Sequence, residues 1–304
     1  MSEPRILSFY LEPGLKESAE AGEHNFLGKI AGVARAAGFE TRYFGNGADE
    51  RARSLTRPGY ALFHMEAPTH ARAVTVRRAY TYPFWSIERT EKRWEFDVAK
   101  AAFDPGEAPA KEAARFAGFW RQRLCGDWAQ APESGHVYIA LQGRLLERRS
   151  FQSCAPVEMV EAVLRNEAER PVVAGLHPKE SYSEAELEAL EKLEEKHPRL
   201  RVRMGGMEQL LPGCDYVVTQ NSGVGFMGYF HRKPLVLFGQ IDFHHIAAKA
   251  GEIGAKEAIR LAPGMAPDFD GYLWWFLQKM AINAGRSEAE EKIADRLRAL
   301  GWPV

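Results

Sequence analysis

The chain has 304 residues, 45% of them hydrophobic and 27% charged, with a formal net charge of −1. That length exceeds the roughly 250–300 residues at which a single core stops growing, so two domains are expected. The near-neutral balance excludes electrostatic capture of nucleic acid or of an anionic membrane as the main activity.

Basic clusters at Arg77–Arg78 and Arg144–Arg148–Arg149 are too short for a polyelectrolyte footprint, yet each suffices for one phosphate or carboxylate. The cysteines, Cys125, Cys154 and Cys214, are far apart and show no metal spacing, which fits reduced thiols in a cytosolic chain. The start, MSEPRILSFYLEPG, lacks the basic-then-apolar order of a secretory signal. No apolar run reaches the roughly 20 residues of a membrane span. A cytoplasmic protein is expected, with peripheral contact at the inner membrane left open.

Ile6–Tyr10 is a short apolar run and predicts a buried strand. A Gly-containing loop follows. Asn25–Ala37 then predicts a helix, with Phe26, Leu27, Ile30, Val33 and Ala34 as its apolar positions and Gly38 as its stop. Thr41–Phe44 and Tyr60–Met65 predict two more strands, and the strand–helix–strand order predicts a parallel sheet. From Ala79 to Cys125 aromatics crowd the chain, and Phe116, Phe119 and Trp120 fall at helical spacing. Gln130–Gly135, with Pro132 and Gly135, is the expected linker.

The second half alternates more regularly. Strands are predicted at His136–Leu141, Pro171–Leu176, Leu200–Met204, Tyr216–Thr219 and Leu235–Phe238. Helices are predicted at Pro156–Asn166, at Ser183–Lys196 and, shorter, at Met207–Leu211, with another between the last two strands. Ser183 and Glu186 have capping-box spacing. Phe269–Met280 and Ser287–Leu300 predict two final helices. The expected fold class is α/β: two Rossmann-like lobes with open parallel sheets. The first domain would span 1–130, the second 131–265, and helices over 266–304 would pack across the lobes.

In open parallel sheets, ligands bind outside the carboxyl ends of the strands. Three segments of the second half fall there. Thr219-Gln-Asn-Ser-Gly-Val-Gly225 runs from a strand through a polar turn into a helix. Gly223 and Gly225 would let a ligand approach the backbone, and the helix start suits a phosphate. Gln220, Asn221 and Ser222 add polar side chains, although Asn221 or Ser222 could equally serve as a plain helix cap. Leu176-His-Pro-Lys179 offers an imidazole, His177, aimed by Pro178, beside the Lys179 ammonium. In Leu141–Ser150, Gln142 and Arg144 leave a strand towards the cleft, and Glu147 is the nearest carboxylate. Glu147 is a candidate base or nucleophile, and a solvated ion-paired glutamate is the plainer alternative.

Asp242-Phe-His-His245 follows the last strand. Adjacent histidines on a helix point about 100° apart and suit one metal poorly, so His244 is assigned to the donor side and no metal is expected. In the first half, His24 and Asn25 precede a helix, and Arg77 and Tyr80 precede the aromatic stretch; these are the acceptor-side candidates. A nucleophile elbow is absent, because Gln220 stands two residues before Ser222 where glycine is required. Dinucleotide-binding and Walker glycine patterns are absent too.

These segments resemble those of bacterial capsular polysaccharide biosynthesis proteins, the group that includes retaining β-Kdo transferases. The resemblance rests on Gln142…Glu147…Ser150, Leu176–Lys179, Val218–Gly225 and Lys233–Gly239, and covers about Val137–His245. It implies a two-lobed GT-B glycosyltransferase fold with a nucleotide-sugar donor in the second lobe. It implies donor-phosphate contacts at His177 and Ser222, a CMP-sugar such as CMP-Kdo, and no metal or other cofactor. The family carries Asp shortly after the motif glutamine, where this chain has Leu146–Glu147, so the catalytic carboxylate stays open between these readings.

Together these features predict metal-independent sugar transfer from a nucleotide-sugar donor to a glycan or glycolipid acceptor. Glu147 and His177 are the catalytic candidates. The donor-binding candidates are Gln142, Arg144, Lys179, Gln220, Asn221, Ser222, Gly223, Gly225 and His244. The alternatives are a nucleotide-sugar epimerase or hydrolase, and a degenerate transferase that binds a glycan or a partner.

Overall fold

A computed structural model describes residues 4–126, 128 and 134–304. Residues 130–133 of the expected linker therefore lie outside the described residues. The chain forms two compact units: unit 1 is Met1–Ala101 with Phe276–Val304, and unit 2 is Ala102–Trp275. Twelve strands occur among the described residues. In chain order they are β1 (Ile6–Leu11), β2 (Glu40–Gly45), β3 (Tyr60–His64), β4 (Ala73–Arg78), β5 (Phe84–Glu88) and β6 (His136–Ala140). Then follow β7 (Val172–Leu176), β8 (Leu200–Met204), β9 (Cys214–Thr219), β10 (Leu235–Leu237), β11 (Ala248–Lys249) and β12 (Ile282–Asn283).

Unit 1 carries a six-stranded sheet in the order β12-β5-β4-β3-β1-β2. Strands β2, β1, β3 and β4 run parallel, while β5 is antiparallel to β4 and β12 to β5. The parallel reading thus holds for four strands, and an antiparallel pair finishes one edge. Helix Asn25–Ala36 buries Phe26, Leu27, Ile30, Ala31 and Ala34, the one-face spacing its sequence predicts. It stops at Gly38, whose φ of +82° suits glycine.

Helix Ala289–Ala299 buries Ala289, Ile293 and Leu297 in the same core as Leu7, Phe9 and Phe26. The segment 266–304 is thus divided, with Phe276–Val304 in unit 1 and the residues up to Trp275 in unit 2. A helix at Pro13–Glu20 stands where a loop is expected, and another at Ala48–Ser54 occupies a stretch for which no element is predicted. Each buries a single residue, Ala19 or Ser54, so neither has an apolar stripe for periodicity to detect. Of the predicted helix Phe269–Met280, only Phe269–Leu273 is α-helical, and Trp274–Lys279 winds as a π-helix.

Unit 2 has an all-parallel sheet in the order β11-β10-β9-β6-β7-β8. Its central strands β6, β7, β9 and β10 are mostly apolar and buried because both of their faces are covered, whereas edge strand β8 alternates as Leu-Arg-Val-Arg-Met. Pro156–Asn166 and Glu184–Lys196 are two of the covering helices. The capping box is formed: Ser183 N donates to Glu186 Oε2 at 2.8 Å, and Glu186 N donates to Ser183 Oγ at 3.3 Å. Helix Ala110–Cys125 also belongs to unit 2, where Arg121 reaches Asp270 at 3.4 Å.

Candidate functional site

Counted from its own first strand, the sheet of unit 2 runs 3-2-1-4-5-6, the doubly wound order, and its direction of growth reverses between β6 and β9. Chains leaving neighbouring strands at such a point part to opposite faces and open a crevice. A cavity of about 360 Å³ lies there. Tyr138, Ala140 and Leu141 line it from β6, His177 from the end of β7, Gly205–Gln209 from the end of β8, and Ser222 and Val224 from the end of β9.

His177 is held from several directions. Its backbone N–H donates to Tyr182 Oη at 2.7 Å, and its Nδ1 accepts from Lys179 N at 3.2 Å. With Nδ1 used as an acceptor, the proton of the neutral ring sits on Nε2, which becomes a donor. Ser222 is buried and caps helix Gly223–Phe230, its Oγ accepting from Val224 N at 3.3 Å. The capping role and a place in the cavity therefore coexist in one residue. Gly205 and Gly206 have φ of +67° and +80°, conformations only glycine adopts cheaply, and they turn the chain into helix Met207–Gly213 at the cavity wall.

Of the predicted donor residues, His177 and Ser222 line the cavity. Gln142, Lys179, Asn221 and Gly223 are sequence neighbours of lining residues. Gly225 serves a different purpose from the expected one. A Cβ there would sit 3.0 Å from Leu235 and 3.3 Å from Phe243, so the glycine lets the helix pack against β10. Gln220 is buried and donates from Nε2 to Cys154 O at 2.9 Å.

Glu147 is 66% exposed and pairs with Arg144 at 3.7 Å, which matches the solvated alternative in kind. His244 and His245 lie on a loop, not a helix, and their rings stack at 4.3 Å. His245 Nδ1 lies 2.8 Å from Tyr272 Oη. Glu208 and Gln209 line the cavity and were missed, since no motif marks them. The glycine pair immediately before them was the available signal.

In unit 1, His24 caps helix Asn25–Ala36, its Nδ1 accepting from Leu27 N at 3.2 Å. Burial holds its imidazole below the ordinary histidine value, with His64 and Arg78 adding repulsion. Asn25 Nδ2 donates to Ala284 O at 3.0 Å and to Tyr82 Oη at 3.3 Å. Arg77 Nη1 donates to Glu91 O at 3.4 Å, and Tyr80 carries the Arg93 guanidinium 4.3 Å from its ring centroid. His24 and Asn25 are thus neighbours at one helix start, while Arg77 and Tyr80 make separate contacts.

No protein-family model matches the chain, and no curated protein matches it by sequence. Solved structures do match. The β-Kdo 2,7-transferase KpsC of Thermosulfurimonas dismutans aligns with a TM-score of 0.54 over 98% of this chain and 99% of that chain, at 9% identity. The fold is GT-B-like. Two further solved structures align with this GT-B-like chain at lower scores. UDP-GlcNAc 2-epimerase from Neisseria meningitidis, bound to UDP-GlcNAc, gives 0.42 at 10% identity, covering 97% of this chain and 99% of that one. S. aureus MnaA with UDP gives 0.38 at 11% identity, covering 97% and 96%. The GT-B-like assignment rests on the first of the three. Among the described residues, no helix is long and apolar enough to cross a membrane.

Proposed function

We propose that this chain is a glycosyltransferase whose nucleotide-sugar donor binds at the switch point of unit 2. The carrying observation is that His177 and Ser222, from strands on either side of β6, line one cavity. Transfer makes the leaving phosphate more negative. A His177 Nε2–H and the start of helix Gly223–Phe230 are fixed partners for that charge, which stabilise a transition state without reorganising, and the exposed Lys179 side chain adds an ammonium from the same loop as His177. The reaction proposed on this set needs no metal. The Gly205–Gln209 wall, with the Glu208 carboxylate, is left for the nucleoside.

The donor we favour is a CMP-activated acidic sugar such as CMP-Kdo, moved to a surface glycan or glycolipid on the cytoplasmic side of the membrane. Both the resemblance in Leu176–Lys179 and Val218–Gly225 and the likeness to a β-Kdo transferase support this choice.

The test is a thermal-shift series with CMP, UDP, GDP and ADP on the full chain. One nucleotide should stabilise it, by about 2.7 kcal/mol at a hundredfold excess over Kd. His177→Ala and Ser222→Ala should each abolish that increment. Ser222→Ala also loses a cap worth about 1 kcal/mol, so the increment and not the absolute Tm is compared. An increment that survives both changes overturns the site. Product analysis with and without a glycan acceptor then separates transfer from epimerisation or hydrolysis.

A further inference from the structure

The cavity of unit 2 has an inner end as well as a mouth. His177, Gly205–Gln209 and Ser222 line it from beyond the strand ends. Tyr138 lines it from inside the sheet. It stands two residues before the end of β6, which is about 7 Å deeper at the ordinary strand rise. Alternation puts Tyr138 and Ala140 on one face of β6, and the parallel register sets Gly175 of β7 beside Ala140. Two residues with almost no side chain thus lie next to each other, and both line the cavity.

The Tyr138 ring leans from β6 onto β7. A Cβ on Gly175 would be 2.8 Å from Tyr138 Cε2 and 3.0 Å from its Oη, so only glycine leaves the ring its place. Tyr138 is 3% exposed, and its hydroxyl has no hydrogen-bond partner among the described residues. Burial pushes that hydroxyl up to about 12, so it is neutral and can both donate and accept. A buried polar group without a partner is costly and is a mark of a ligand site.

The two ends of the cavity differ in charge. Of the lining residues, His177 and Glu208 are the ones that can carry charge near neutral pH, and both belong to strand-end loops. The inner end, formed by Tyr138, Ala140 and Gly175, offers no cation. A phosphate placed there would lose its water and gain no ionic partner. A flat neutral ring with a polar edge suits it, with the ring over the two small residues and the edge against the hydroxyl. The cavity volume of about 360 Å³ is at the small end for ligand sites, which favours a small ring.

We propose that Tyr138 selects the nucleobase of the donor. Its hydroxyl hydrogen-bonds the edge of a single-ring pyrimidine, and its ring stops a two-ring purine before the phosphates can reach His177. Gly175 is a positioning residue that acts through Tyr138. The inference rests on the donor-site reading of the same cavity and adds the residue that gives the site its preference.

Equilibrium binding on the full chain tests it, with CMP, UDP, GDP, ADP, cytidine, uridine and inorganic pyrophosphate as probes. The parent should bind CMP or UDP at least about tenfold more tightly than GDP and ADP. Tyr138→Phe keeps the ring and removes only the hydroxyl. It should weaken the preferred nucleotide and its nucleoside by the same factor, about threefold to tenfold, and leave pyrophosphate unchanged. Tyr138→Leu opens the inner end and should shift preference towards GDP or ADP by about tenfold. Gly175→Ala should weaken pyrimidine binding in the parent and not in Tyr138→Leu, where the ring it collides with is gone. Should Tyr138→Leu fail to fold, Tyr138→Phe decides alone, since it preserves the packing.

Unchanged pyrimidine affinity in Tyr138→Phe overturns the hydroxyl contact. An equal loss for pyrophosphate overturns the placement of the base at the inner end. A purine preference in the parent, or an unchanged preference in folded Tyr138→Leu, overturns the selection. In each of these cases the donor site itself stands so long as His177→Ala and Ser222→Ala still abolish binding. If no nucleotide binds the parent, the donor reading fails and this inference fails with it.

Discussion

The two sheet edges differ in how their polar groups are assembled. In unit 2 the cavity-lining side chains come from the strand ends: His177 directly after β7, and Ser222 from the turn that follows β9. The cavity is lined by a row of strand-end loops. In unit 1 the pair at the edge joins residues from two strands, and its chemistry lies in the bond between Glu12 and His64. The first kind of site is suited to an anion, which needs many weak, fixed donors. The second is suited to a proton, which needs one acceptor of defined orientation.

The largest expected effect strikes unit 1 and should spare unit 2. Leu297 is fully buried in the core shared with Leu7 and Phe9. Leu297→Ala should destabilise unit 1 by about 2–5 kcal/mol, read from chemical denaturation, while the nucleotide increment persists. Loss of both together would show that the two units do not behave separately. Gly225→Val is the converse test. The added methyls collide with Leu235 and Phe243, so a cost of about 1–3 kcal/mol and a lost nucleotide increment are expected.

A subtler contrast is in pH dependence. Burial raises the Glu88 carboxyl from its ordinary value to about 7, outweighing the Arg296 guanidinium at 2.7 Å. The unfolded chain releases this proton near 4.5 and the folded chain near 7, so between those values the folded state holds more protons. The contribution of Glu88 to stability therefore falls as pH rises through that window. Glu88→Gln should remove this fall, seen as a flatter denaturation midpoint against pH. The smallest effect concerns Glu147. It is exposed and paired only loosely with Arg144, so Glu147→Gln should change stability by less than about 0.5 kcal/mol. Glu208→Gln, at the cavity wall, should weaken nucleotide binding more than Glu147→Gln does.

Most of unit 2 was legible in the sequence. Its central strands are apolar runs bounded by Pro, Gly or polar turns, and its helix Glu184–Lys196 announces itself with a capping box. His177 and Ser222 could be found because each lies within a few residues of its strand. Gly225 was found for the wrong reason, since what approaches it closely is Leu235 and Phe243.

Unit 1 was harder. Strands β4 and β5 were not anticipated, because Arg77–Arg78 and the aromatics obscured the strand pattern. No local pattern links Glu12 to His64, and the contact exists only once β1 and β3 are paired. His24 was chosen for its place before a helix, without the Trp85 contact that sets its surroundings.

The discontinuity of unit 1 has a consequence for synthesis. Unit 2 is a single stretch, Ala102–Trp275, whereas unit 1 lacks Ile293, Leu297 and Trp302 until the ribosome has passed the whole of unit 2. Domains ordinarily mature in the order they emerge. Here the first-made strands must wait, their apolar faces uncovered, while the later-made unit closes ahead of them. The strands over Ile6–Glu88 thus keep apolar surface uncovered while unit 2 is being made, which is where a chaperone would act.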